Sequence, residues 1–174
     1  MNVEVDKLTP CLVRASDGEV VQTEVSVLSR RDARSYREDN GWYINWSEVP
    51  DDYTIYKLAV SGEDEPQGLV AAKDDRANQA VRLHWGVAAP WNQGKLVGAD
   101  GKRYEGVGGH LFAIGADLSM QLGYNGFMVS QAANSKLLSH YVEEFGAYPI
   151  GNTLGFFIDE DAAAGILKEY TWER

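Results

Sequence analysis

Three glycines within four positions, Gly106, Gly108 and Gly109, stand directly before an apolar run of helical period. Leu111, Ile114, Leu118 and Leu122 recur every three to four residues, so residues 110–122 are expected to form a helix with one apolar face. Gly123 follows, able to take the positive φ that ends a helix. Glycine at a helix start indicates a backbone that bends sharply or approaches another group closely. A helix N-terminus also presents N–H groups and a partial positive charge, which suits a phosphate. The stretch Arg103, Tyr104, Glu105, Gly106, Val107, Gly108 and Gly109 is therefore a candidate anion cradle.

Two common phosphate motifs are excluded. A P-loop closes on Gly-Lys-Ser/Thr, and here His110-Leu111 follows the glycines. The dinucleotide fingerprint needs a small residue where Leu111 stands and a strand running straight into the glycines, and neither is present.

The chain of 174 residues fits one domain with a real core. Its 44% apolar content and five tryptophans argue against disorder. One cysteine, Cys11, excludes an intrachain disulfide and a cysteine metal cluster, and the three histidines lack ligand spacing, so no metal is expected. Met1–Asp6 has no basic run and no apolar stretch approaches membrane-spanning length, so a cytoplasmic protein with no membrane partner is expected. The net charge of −10 is uneven: residues 1–80 carry −7, residues 81–158 carry zero and residues 159–174 carry −3. Such a field disfavours nucleic acid and favours a cationic acceptor, or simply serves solubility.

Read in order, residues 3–13 and 19–28 alternate about Asp17-Gly18, a hairpin signal. Ser29, with Asp32 three residues on, opens a short polar helix over 30–39, ended by Asn40-Gly41. Residues 41–46, Gly-Trp-Tyr-Ile-Asn-Trp, either plug one end of the core or line an acceptor pocket beside Glu48, Asp51 and Asp52. Strands over 53–60, 68–72 and 80–88 form an antiparallel meander. After the glycine-opened helix come a strand at 126–130, a helix from Asn134 to Phe145, a strand at 154–158 and a terminal helix opened by Asp159-Glu160-Asp161.

This order, with Arg103-x-x-Gly106-x-Gly108 at a helix start and Asn134, Tyr141 and Gly146-Ala147 on and after the next helix, resembles the GNAT superfamily of N-acetyltransferases. The chain departs from it in the long polar insert from Pro90 to Arg103, in the five-residue step from Tyr141 to Gly146 and in a reduced N-terminal region. The resemblance implies a mixed α/β (α+β) fold. It would have a central, mostly antiparallel sheet of six to seven strands, flanking helices and a splay between strands four and five. One domain is expected over 1–174, with a variable hairpin and helix in 1–52 and an acetyl-CoA-binding core in 53–174.

The resemblance further implies transfer of an acetyl group from acetyl-CoA to a primary amine by direct attack. The expected acceptor is a small-molecule or peptide amine, and a homodimer is an option. Residues 103–109, Val87, Ala88, Asn134 and Tyr141 would hold the cofactor, the strand amides serving its pantetheine arm. Tyr141 would be the general acid for the departing thiolate. His84 is the candidate base because histidine titrates near neutrality, with Glu48 and Asp52 behind it. Each has a plainer role as well, Tyr141 as a core tyrosine and His84 as a sheet histidine. A domain that binds acyl-CoA without turnover, or only mediates interactions, is the alternative.

Overall fold

The computed structural model describes residues 11–93 and 101–170. The alternating stretch after Tyr53 builds a meander of β4 (Thr54–Val60), β5 (Pro66–Asp75) and β6 (Ala80–Ala88), each pair antiparallel. β3 (Thr23–Leu28) adds to its outer edge along β4, from Thr23 opposite Val60 to Leu28 opposite Ile55. β8 (Met128–Gln131), β10 (Gly155–Ile158) and β9 (Tyr148–Pro149) complete a seven-stranded sheet of order β3-β4-β5-β6-β8-β10-β9. Only β6 and β8 run parallel. This is the mixed, mostly antiparallel sheet that the sequence implies.

Successive residues of a strand face opposite sides, and both sides of this sheet are covered. Leu58, Val70, Ala72, Val81 and Leu83 meet α2 (Val107–Gln121), α3 (Ser135–Phe145) and α4 (Glu160–Glu169) in one core. Ile55, Leu69 and Ala71 meet Trp42, Trp46, Val49 and Tyr53 in a second core on the other face. β5 is therefore buried on both sides from Pro66 to Ala72, which explains why it reads as an apolar run rather than an alternation.

The N-terminal region differs from the sequence reading in two places. β1 (Leu12–Arg14) does form an antiparallel hairpin with β2 (Val20–Val21), but β3 leaves that hairpin for the main sheet. β1 pairs instead with β7 (Tyr104–Glu105), as Val13 opposite Glu105 and Arg14 opposite Tyr104. The rest of the first expected strand lies outside the described residues. The polar helix shrinks to α1 (Arg30–Ala33), capped by Ser29 Oγ accepting from Asp32 N at 3.0 Å, and a separate 3₁₀ turn spans Glu38–Asn40. Only Ala33 of α1 is buried, so this segment has no apolar face to sustain a longer helix. The Arg30 guanidinium anchors it by donating to the carbonyls of Val49, Pro50 and Tyr53.

Candidate active site

β6 and β8 pair only at Val81–Met128 and Arg82–Val129. The last link between them is Ser130 Oγ donating to Leu83 O at 3.0 Å, and beyond it they part. A cavity of about 670 Å³ occupies the gap, within the usual range for small-molecule sites. On the helical side it is walled by Leu111, Phe112, Leu137, Tyr141, Phe145 and Phe156. On the other side it meets Tyr43, Ile44, Tyr53, His84 and Trp85.

The edge of β6 along this gap follows from its pairing. Ala89 N donates to Gln67 O on the β5 side at 2.9 Å, so by alternation Val87 also directs its main chain to β5 while Gly86 and Ala88 turn theirs to the gap. Of the two residues expected to serve the arm, Ala88 thus turns its main chain to the gap, as does Gly86, while Val87 turns its own to β5; all three line the cavity. Upstream, the register shifts: Val70 faces Gly86 and Ala72 faces Leu83, leaving His84 and Trp85 together opposite Ala71. Such a bulge breaks the alternation. His84 lies 5.0 Å from the Tyr53 ring and Trp85 lies 6.2 Å from Trp46, so both consecutive side chains join the aromatic side.

His84 is exposed, and burial of its ring, then the Lys73 cation, lower its pKa below the ordinary 6.5 against a smaller opposing effect of Asp52. The neutral imidazole is thereby favoured. Tyr141 sits among Phe112 at 5.0 Å, Phe156 at 5.3 Å and Phe145 at 6.1 Å. Burial in these rings pushes its hydroxyl up to about 12, so it keeps its proton at every physiological pH. One side of the cavity can therefore accept a proton and the other can give one.

The glycine motif opens α2 one residue after β7. Gly106 is the N-cap with φ 88, so Val107, Gly108 and Gly109 are the first helical turn rather than a loop before it. The helix begins three residues earlier than its apolar period indicates. Gly108 lines the cavity. Gly109 faces inward, where an added Cβ would lie 1.8 Å from Tyr170 Cζ. Arg103 bonds Glu65 at 2.8 Å with its guanidinium 5.2 Å over the Trp91 ring. Asn134 caps α3, its Oδ1 accepting from Leu137 N at 2.9 Å, and is not among the cavity-lining residues.

Three polar residues that the sequence reading passed over hold this region together. Gln67, 1% exposed, accepts at Oε1 from Trp91 Nε1 (2.9 Å) and Asn92 Nδ2 (3.0 Å). Asn92, 3% exposed, accepts in turn from Tyr104 N at 2.9 Å, which ties the start of the insert to the start of the glycine motif. Gln93 lines the cavity and donates from Nε2 to Ala88 O at 2.7 Å. The only signal was an Asn-Gln pair after a proline-stopped strand, which reads equally well as a turn. Residues 94–100 of the insert lie outside the described residues.

Among the described residues the expected acidic acceptor pocket is not seen. Among the described residues that line the cavity there is no carboxylate; its charged side chains are Arg82 and Lys102. Asp52 is engaged by Lys73 at 2.7 Å and Glu48 by Asn45 at 3.2 Å. Among the described residues of the acidic N-terminal span, carboxylates such as these lie in surface contacts and none lines the cleft. Of the aromatic stretch, Trp42 and Trp46 fill the second core while Tyr43 and Ile44 line the cavity, so both readings of it hold in part. His110 is a core residue: it is fully buried, hydrogen-bonded to the Cys11 backbone, and its pKa is lowered by burial to about 4.

No family model matches this chain, and no curated protein matches it in sequence. Solved structures do match in fold. The AtaT–AtaR complex bound to DNA aligns at TM-score 0.54 and 17% identity, over 82% of this chain and 98% of that one. AtaTR bound with acetyl-CoA aligns at 0.52 and 14%, over 83% and 98%. AtaT complexed with acetyl-methionyl-tRNAfMet aligns at 0.54 and 13%, over 83% and 98%. The chain shares the fold of these structures, as the resemblance of its motifs implies. These structures also correct one expectation. Net charge disfavours nucleic acid and none was expected as a partner, yet the matching structures include a complex bound to DNA and a protein complexed with acetyl-methionyl-tRNAfMet. Whole-chain charge does not decide a contact that a local surface makes. Among the described residues, no helix is long and apolar enough to cross a membrane.

The residues present suit an acyl-CoA. The cleft has helix α2 opening beside it, a strand edge along it and the Lys102 cation in its lining. It also holds Gln93 Oε1, a buried acceptor with no partner among the described residues.

Proposed function

We propose that this protein is an acetyl-CoA-dependent N-acetyltransferase acting on a primary amine. The observation that carries the reading is the cleft through the sheet between β6 and β8, with Tyr141 in one wall and His84 in the other. Acetyl-CoA brings an activated acyl thioester. The first turn of α2 and Lys102 bind its phosphates, while Gly86 and Ala88 bind its arm along the strand edge. A gap-facing amide of β6 also offers a fixed donor to the thioester carbonyl oxygen as charge develops there.

The acceptor enters from the aromatic side. An alkylammonium with a pKa of about 10.4 must lose a proton before attack, and neutral His84 takes it, directly or through water. The amine nitrogen bonds to the acyl carbon, the carbon–sulfur bond breaks, and Tyr141 protonates the departing sulfur, regaining its proton through water from the nitrogen, which sheds its second proton as the amide forms. The absence of a carboxylate among the described lining residues does not support a polycationic acceptor. The tRNA-bound neighbour supports an aminoacyl-tRNA as one arm of the acceptor screen.

The test is release of free thiol from acetyl-CoA against a panel of monoamines, polyamines, peptides and aminoacyl-tRNA. Turnover above the hydrolytic background with one acceptor class supports the reading. Tight acetyl-CoA binding with no turnover across the panel would instead indicate a domain that binds acyl-CoA without transferring it.

A further inference from the structure

Gln93 stands where β6 has ended and the insert begins, and its side chain is 7% exposed. Nε2 donates to Ala88 O at 2.7 Å, whereas Oε1 is enclosed and has no hydrogen-bond partner among the described residues. The amide cannot be turned round, because the Ala88 carbonyl accepts only from the NH₂ end and a flip would set two oxygens face to face. Buried acceptors are nearly always partnered in folded proteins, so a persistent orphan calls for a ligand or a water.

Its position says which. Ala88 directs its main chain into the gap, and the Gln93 amide hangs from that carbonyl while lining the same cavity. The side chain therefore adds one buried acceptor to the gap-side edge of β6. The matching group must be an N–H or O–H donor lying along the strand edge, and the pantetheine arm carries two amides spaced along an extended chain. We infer that Gln93 Oε1 is a binding contact of the cofactor, accepting from one of the two amide N–H groups of the pantetheine arm. This inference rests on the acetyl-CoA reading above.

The experiment is calorimetry on the full chain with acetyl-CoA, with two analogues in which oxygen replaces one amide N–H at a time, and with adenosine 3′,5′-bisphosphate, which has no arm. For the native protein one analogue should bind roughly 3- to 10-fold more weakly than acetyl-CoA, the usual range for a single hydrogen bond. In Gln93→Leu, or in the more flexible Gln93→Met, that penalty should vanish while the bisphosphate binds as before. The side-chain amide resonance of Gln93 should also shift in the native protein with acetyl-CoA and not with the bisphosphate. Unchanged affinity for both analogues, or a penalty that persists in the variants, would overturn the assignment and leave water as the partner. Native protein that binds neither acetyl-CoA nor the bisphosphate would overturn the functional reading itself.

Discussion

Gly109 and Tyr170 touch so closely that a single methyl group at position 109 would lie 1.8 Å from the tyrosine Cζ and 1.9 Å from its Oη. The first turn of α2 is thus packed on the residue that follows α4, and one of the three motif glycines is required by the fold. Gly109→Ala must displace a 1%-exposed ring, and overpacking of this kind costs about 1–3 kcal/mol. For a domain of this size the melting temperature should fall by roughly 2–12 °C. Scanning calorimetry of the ligand-free protein checks it, and an unchanged melting temperature would show that α4 moves aside freely.

Tyr141→Phe removes a hydroxyl and leaves the aromatic wall of Phe112, Phe145 and Phe156 intact. Losing a positioned acid typically costs on the order of 10²–10⁴ in rate. Acetyl-CoA affinity should change by less than about tenfold, or 1.4 kcal/mol. A kcat within a factor of about three would make Tyr141 a packing residue, with the proton supplied by water.

The pH dependence follows from the two shifts. Tyr141 loses its proton only near 12, so no alkaline fall in rate should trace to it below about pH 11. His84 titrates below 6.5, so activity should be lost as pH falls through that lower value. Lys73→Met removes a cation that lowers the His84 pKa and releases Asp52, which raises it. Both changes act upward, so the acidic limb of kcat/KM should move to higher pH. An NMR titration of His84 gives the same reading without turnover, and a downward shift would contradict it.

Gln67→Leu strands the part-buried donor Trp91 Nε1 and leaves Asn92 Nδ2 with only the Gln67 main-chain carbonyl, 3.1 Å away. The stranded donor costs about 1–3 kcal/mol. Because Asn92 also holds Tyr104 N, acetyl-CoA affinity should fall along with thermal stability although Gln67 does not line the cavity. Stability that falls with affinity unchanged would show that the cradle does not depend on this network.

The meander, the two later helices and their caps were legible because each is a local matter. Asn134 and Asp159 accept from the amides three residues on, as their spacing indicates. That Tyr141 would stand at the cavity was implied by the family resemblance and not by a local rule. The outline of the site was less so, because it depends on where strands separate. The bulge that sends both His84 and Trp85 to one face leaves no mark in the sequence beyond Gly86 nearby. The Gln67–Asn92–Tyr104 network joins residues far apart in the chain, and polar residues in turns carry no sign of burial. The charge count misled for a related reason. It sums acids that the fold disperses, and it is blind to which of them face the cleft.

The pairing of β1 with β7 has a kinetic consequence. Val13 and Arg14 can meet Glu105 and Tyr104 only after a loop of about 90 residues has closed, whereas β4, β5 and β6 need only short turns. Long-range closures of this kind come late because their entropic cost precedes their reward. The strand that leads into the candidate anion cradle is therefore expected to dock last, on a sheet already formed. An anion that favours the finished cradle would then act on the final step of assembly, slowing unfolding more than it hastens folding.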